Sequence, residues 1–166
     1  EVNAYLDGLE AELCWVEGDE EEALRLAEQA LKGVPPAAKL MRYRLMALRW
    51  GAKRALNDPS LPAGGLDDDL HTLLSRFPTP LRILNLALPV RVNLKGGALA
   101  QEVGEALAAS PRFEVSPNAS LSLEVSEGSE KLSVCLLGAR GDRYGCAEAW
   151  LDLEVERAQR ELRRQA

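Results

Sequence analysis

Hydrophobic and polar positions divide the chain into a helical first half and a mixed second half. From Leu6 to Leu31 apolar residues recur at helical spacing, as Leu6, Leu9, Leu13 and Val16, then Ala23, Leu24, Ala27, Ala30 and Leu31. Gly18-Asp19 between the two groups is a helix stop followed by a cap, and Glu20 to Glu22 supply negative charge to the next first turn. The pattern predicts two antiparallel helices. A third, from Ala37 to about Leu56, carries Met41, Leu45, Leu48 and Ala52 on one stripe and stops at Asn57-Asp58-Pro59. The stretch NDPSLPAGG, 57–65, reads as a boundary, after which Asp67 caps a short helix through Arg76 with Leu66, Leu70, Leu73 and Leu74 on its apolar side.

Beyond Pro78 and Pro80 the period changes to two. Leu84, Leu86, Leu88, Val90 and Val92 alternate as in a strand, and Pro89 demands an edge or a bulge. Lys95-Gly96-Gly97 turns into a helix with Leu99, Val103, Ala106 and Leu107 on one face; it lacks the Lys-Ser/Thr of a phosphate loop and reads as a turn. Arg112 to Val115 is a short strand. A two-residue loop at Gly128-Ser129 would set Val125 opposite Leu132, Leu123 opposite Val134 and Leu121 opposite Leu136, apolar on apolar at each step. A loop at Arg140-Gly141 would set Val134 opposite Ala147, Leu132 opposite Ala149, Leu136 opposite Gly145 and Leu137 opposite Tyr144. Turn chemistry thus accounts for Arg140-Gly141-Asp142 without an adhesion ligand. Trp150 to Ala166 predicts a closing helix striped by Leu151, Val155, Ala158 and Leu162, with basic Arg157, Arg160, Arg163 and Arg164.

The fold class expected is α+β: antiparallel helices, then a small α/β sandwich with a mainly antiparallel sheet. The units are a helical segment at 1–57, a linker with a short helix at 58–80, and an α/β domain at 81–166. The 166 residues, 46% hydrophobic and 28% charged, suit a globular chain, and no apolar run reaches the roughly 20 residues of a membrane-spanning helix. No membrane insertion is expected. A net charge of −6 disfavours nucleic acid as a partner over a broad surface. Arg outnumbers Lys 15 to 5, which with the Ala, Leu and Glu content matches a bacterial high-GC composition. The chain opens on Glu1 and not on Met, so a fragment or mature portion of something longer is expected.

The residues Gly18-Asp19-x-x-Glu22-Ala23-Leu24, Ala30-Leu31 and Pro35 resemble the second half of a tetratricopeptide repeat, and Tyr43-x-x-Met46-Ala47-x-x-Trp50 resembles the opening of another. Asp7 and Glu10 fall where that pattern wants apolar residues, whereas Ala11 suits its small position. The resemblance implies the end of an array that continues before Glu1, and a protein-binding groove with Tyr5, Trp15, Arg42 and Arg49 as anchors. Strand, helix, strand and hairpin in order, with ALAASPRFEV ahead of the meander, resemble the amino-terminal domain of TolB and the curli secretion lipoproteins, over Leu81 to about Ala149. That resemblance implies an assembly or docking module without catalysis.

Candidate chemistry is sparse. Cys135 and Cys146 become opposed, as a hydrogen-bonded pair if the loop has two residues, which leaves a disulfide open without requiring it. Cys14 reads as a small helix hydrophobe. His71 beside Asp67 to Asp69 is the one candidate metal ligand set, and three acids at a helix start explain it without metal. No catalytic residue, metal or cofactor is expected. The reading is a non-catalytic protein-protein interaction or scaffolding module in a bacterial envelope or regulatory assembly, with the cytoplasm and the envelope both open. The alternative is a ligand-sensing or nucleic-acid-associated regulator using the arginines of the last helix.

Overall fold

A computed structural model describes residues 2–151. Helices α1 (Val2–Glu17), α2 (Glu20–Gly33) and α3 (Lys39–Ala55) come first, then α4 (Asp68–Arg76) and α5 (Thr79–Ile83). Strand β1 (Leu88–Lys95), helix α6 (Ala98–Ala109) and strands β2 (Phe113–Val115), β3 (Leu121–Glu127), β4 (Lys131–Leu137) and β5 (Arg143–Trp150) complete the fold. Of the expected closing helix, residues 152–166 with its four arginines lie outside the described residues; Trp150 ends β5 instead of opening a helix, and the Leu151 N–H continues the ladder to the Glu130 carbonyl.

The first two helices meet through small residues. Ala4, Gly8 and Ala11 are the buried positions of α1, against Ala23, Ala27 and Ala30 of α2 and Leu45 and Leu48 of α3. A methyl added at Gly33 would stand 2.7 Å from the Cβ of Ala4, so the helices touch almost backbone to backbone there. Asp19 caps α2 by accepting from the Glu22 N–H at 3.2 Å. Helix α3 passes from one core to the next: Leu45 and Leu48 pack on α1 and α2, while Ala47 and Trp50 pack with Leu70 and Leu73 of α4 and with Val90 and Leu121 of the sheet. The Trp50 indole N–H donates to the Gly65 carbonyl at 2.8 Å. Arg54 donates to the Ala87 carbonyl at 2.5 Å and to Glu114 at 2.6 Å.

The sheet runs β2-β1-β3-β4-β5, with β1 parallel to both β2 and β3 and antiparallel pairing only along β3-β4-β5. It is therefore mixed, not mainly antiparallel. The cause is that β1 pairs on both edges with strands that follow α6 in the chain: β2 takes Leu88 to Val90, and β3 takes Val90 to Lys95. Pro89 consequently lies in an inner strand. The Leu88 N–H and the Val90 carbonyl bond toward β2, so the donor missing at Pro89 would face the β3 side, where pairing begins only at Val90.

Two further expectations change. The strand expected to include Leu84 and Leu86 begins only at Leu88, and residues 79–83 form α5, because Pro80 suits a first helical turn; Asn85, at φ 53°, follows its end, with the Leu86 N–H returned to the Leu81 carbonyl. In the first hairpin Leu123 faces Leu136 and Val125 faces Val134, two residues from the expected register. The loop is Ser129-Glu130, closed by the Gly128 N–H on the Lys131 carbonyl at 2.8 Å. A shift of two keeps the same side chains on the same face, so the sheet is still one-sided. The second hairpin pairs Val134 with Ala147, Leu132 with Ala149 and Leu136 with Gly145 as expected, but a bulge between Leu136 and Leu137 sets Leu137 opposite Arg143 and frees Tyr144 for the inner side.

Candidate docking site

Helix α1 has two apolar faces. At about 100° per residue, Ala4, Gly8, Ala11 and Trp15 fall about 150° away from Val2, Leu6, Leu9, Leu13 and Val16. The small face is inside. The large face is in water, with exposures of 72% at Val2, 57% at Leu6, 49% at Leu9, 62% at Leu13 and 81% at Val16. These five side chains, at spacings of four, three, four and three, form a straight seam exposing on the order of 400–500 Å², the size of the largest apolar patch on a typical monomer. Around the seam α1 carries Asp7, Glu10, Glu12 and Glu17 and no Lys or Arg. Asp7 and Glu12 are turned inward, accepting from Gln29 at 2.8 Å and from Arg44 at 2.6 Å. Glu10 and Glu17 stay exposed along one border of the seam.

The anchors suggested by the sequence divide between two places. Tyr5 and Trp15 are half-buried on α1, Trp15 against the core of the helical segment. Arg42 and Arg49 come together on α3, where with Glu28 and Met46 they line a surface cavity of about 460 Å³. Both guanidinium groups are engaged within the chain. Arg42 donates to the Leu31 and Val34 carbonyls at 3.1 and 2.9 Å, closing the C-terminal end of α2. Arg49 grips Asp69 with two bonds of 2.6 and 2.7 Å, tying α3 to α4; the carboxylate raises the guanidinium's pKa against the opposing effect of burial. Apolar spacing alone does not distinguish the exposed seam, because Leu6, Leu9, Leu13 and Val16 show the same helical periodicity that a core stripe would. The signal lay in the second periodicity, Ala4-x-x-x-Gly8-x-x-Ala11, which fits a close helix contact better than leucines do.

Groups with chemical potential elsewhere are engaged or detuned. Cys14 has its thiol pKa raised, by desolvation first and then by Asp19, Glu10 and other acids, which keeps it protonated and a poor nucleophile. His71 Nδ1 lies 2.8 Å from the Tyr144 hydroxyl, with the rings edge to face at 5.6 Å; burial and Asp142 push the phenol up. The Gly97 turn holds an anion from its own chain: Glu127 accepts from the Gly97 and Ala100 N–H groups at 2.9 and 3.0 Å. Among the described residues no group of three or more His, Cys, Asp or Glu is placed to hold a metal ion.

Cys135 and Cys146 are joined as a disulfide across β4 and β5, with Cα atoms 4.1 Å apart, on the polar outer side of the sheet. The Leu151 N–H donates to the Glu130 carbonyl, which makes that a wide pair and, alternating down the ladder, Cys135 and Cys146 a narrow one. The sequence reading expected the wide kind; the bulge at Leu136/Leu137 reverses the parity. The Arg140-Gly141-Asp142 turn is exposed, with Gly141 at φ 83° and the Gly138 N–H on the Asp142 carbonyl at 2.7 Å.

Compared with protein-family models, with curated proteins and with solved structures, the chain matches none. Among the described residues no helix is long and apolar enough to cross a membrane.

Proposed function

We propose that the protein is a non-catalytic protein-protein interaction module, and that its docking face is the outer side of α1. The observation that carries this reading is the seam Val2, Leu6, Leu9, Leu13 and Val16, five large apolar side chains in line and in water. Scattered exposed leucines need no explanation, but a seam at alternating spacings of four and three is what a second helix packs against. The occupant is an amphipathic helix of a protein partner with Lys or Arg beside its apolar stripe. The acidic border favours it, and disfavours a second copy of α1, which would bring Glu10 and Glu17 against their own kind.

A labelled 21-residue designed peptide with a Leu heptad seam and Lys flanks, titrated into the protein by fluorescence anisotropy, tests this. Saturable binding is expected, with a Glu-flanked version at least about tenfold weaker and the affinity falling with salt. Leu6→Asp/Leu13→Asp abolishes binding with thermal stability nearly unchanged, since both side chains are already exposed. Equal binding by that variant overturns the docking face. Sedimentation showing a dimer in the parent chain and a monomer in the variant overturns the choice of occupant.

A further inference from the structure

A second surface feature is built without any residue of α1. Leu74 of α4, Leu81 of α5, Leu88 of β1, Phe113 of β2 and Leu136 of β4 line an apolar groove of about 420 Å³. That volume falls within the range of about 300–1,000 Å³ typical of small-molecule sites. The five-residue helix α5 contributes Thr79, Leu81 and Arg82 to the lining, and Leu86 joins it just after the turn at Asn85. The charged residues of the lining are Arg82 of α5 and Arg112 in the turn just before β2; no carboxylate is present among them.

These two arginines differ from those of the helical segment. Arg25, Arg42, Arg44, Arg49 and Arg54, all the arginines of α2 and α3, are held by carboxylates or carbonyls. The side chains of Arg82 and Arg112 have neither hydrogen bond nor ion pair among the described residues, and both residues are exposed. A guanidinium presents a planar fork that fits a carboxylate through two parallel bonds, and its attraction is strongest where neighbouring surface is apolar. Apolar walls with two exposed cationic forks in the lining suit a molecule with a hydrocarbon body and one anionic end.

We propose that this groove binds an amphipathic carboxylate of the fatty-acid class, with the chain along Leu81, Leu88, Phe113 and Leu136 and the carboxylate on Arg82 and Arg112. The site is independent of the α1 docking face. Two features follow: the neutral and the cationic analogues bind worse than the anion, and selectivity resides in the two arginines.

The test is calorimetric titration of the full chain with decanoate, decanol and decyltrimethylammonium. Decanoate binds with a stoichiometry near one to one, decanol at least about tenfold more weakly, and the ammonium not detectably. Arg82→Gln/Arg112→Gln brings decanoate down to the affinity of decanol and leaves decanol unchanged; both positions are exposed, so the variant folds, as circular dichroism verifies. Leu6→Asp/Leu13→Asp leaves decanoate binding intact, which separates this site from the α1 seam. Absence of saturable decanoate binding, equal affinity for decanoate and decanol, or loss of binding only in the α1 variant each overturns the proposal.

Discussion

Removing one side of the Arg49–Asp69 pair is expected to cost far more stability than removing both. Asp69 is a buried carboxylate, with a side chain 9% exposed, and Arg49 satisfies both of its oxygens, at 2.6 and 2.7 Å. Arg49→Met keeps the length of the stem and deletes the two donors, leaving a charge that the interior of the α3/α4 contact cannot solvate. Breaking a fully buried pair this way costs about 3–5 kcal/mol. The Arg49 side chain keeps 29% of its exposure, so water can reach the vacated place, and a loss of about 2–3 kcal/mol is expected. Arg49→Met/Asp69→Leu removes the stranded charge together with its partner and should fall within about 1 kcal/mol of the parent chain. Urea unfolding followed by Trp fluorescence reads both, because Trp50 is fully buried beside this contact. A coupling energy below about 0.5 kcal/mol in the double-mutant cycle would refute the argument, since the two side chains would then act independently. The same geometry bears on partner binding: Arg49→Glu would set two carboxylates face to face, so any loss of binding in it reports the fold before it reports a surface.

Two further outcomes follow from the site geometry. Reducing the disulfide, or replacing it as Cys135→Ser/Cys146→Ser, releases a loop of 11 residues and should lower stability by at most about 3 kcal/mol, read by urea unfolding; intact mass with and without reductant shows whether the bond exists by a difference of two hydrogens. Asp67 is raised above its ordinary 3.8, mainly by burial, with its bond to the Leu70 N–H opposing and Asp69 adding. The folded chain then binds that proton more tightly than the unfolded chain, so this contribution is complete below pH 3.8 and fades as pH rises through the folded value. Asp67→Asn keeps the cap and removes the charge, so it should match or exceed the parent at pH 7 and lose that advantage below pH 3.8; a clear loss at pH 7 would contradict the sign.

Much of the fold could be read from periodicity and very little of its pairing could. Helices α1 to α4 and α6 stand where apolar spacing put them, because a 3.6 period over a dozen residues is a strong signal. Parity of the meander was also legible, since alternation decides which side chains share a face. Register was not: Leu121, Leu123 and Val125 are nearly interchangeable, and a slip of two costs no apolar contact. What favours the observed register is remote in sequence. By turning at Ser129-Glu130 the chain keeps Glu127 in β3, opposite Leu132, where its carboxylate reaches the first turn of α6. The mixed sheet escaped for the same reason, because β1 finds β2 and β3 only across α6 and the turn at 116–120. Leu84 and Leu86 extended a strand pattern backward over residues that Pro80 and Asn85 commit to a helix and its stop.

On α1 a filled contact and the proposed docking seam lie on separate faces. Ala4, Gly8 and Ala11 complete the contact with α2 and α3, and a methyl added at Gly8 would already meet Met41 and Leu45 at 3.3 and 3.4 Å, so no room remains there for leucines. The leucines on the far side take no part in that contact, and they would weigh against solubility if they stayed bare. Covering on the order of 400–500 Å² of them is worth roughly 10 kcal/mol at 25 cal/mol per Å². Loss of free translation and rotation costs a comparable ~4–15 kcal/mol, so apolar burial from this side alone gives weak or no binding. The partner's own buried stripe and the attraction of its cations to Glu10 and Glu17 must supply the remainder, and the second of these fades with salt. An interaction through α1 should therefore show an association rate that falls steeply between low and physiological ionic strength, while the dissociation rate, set by the seam, changes little.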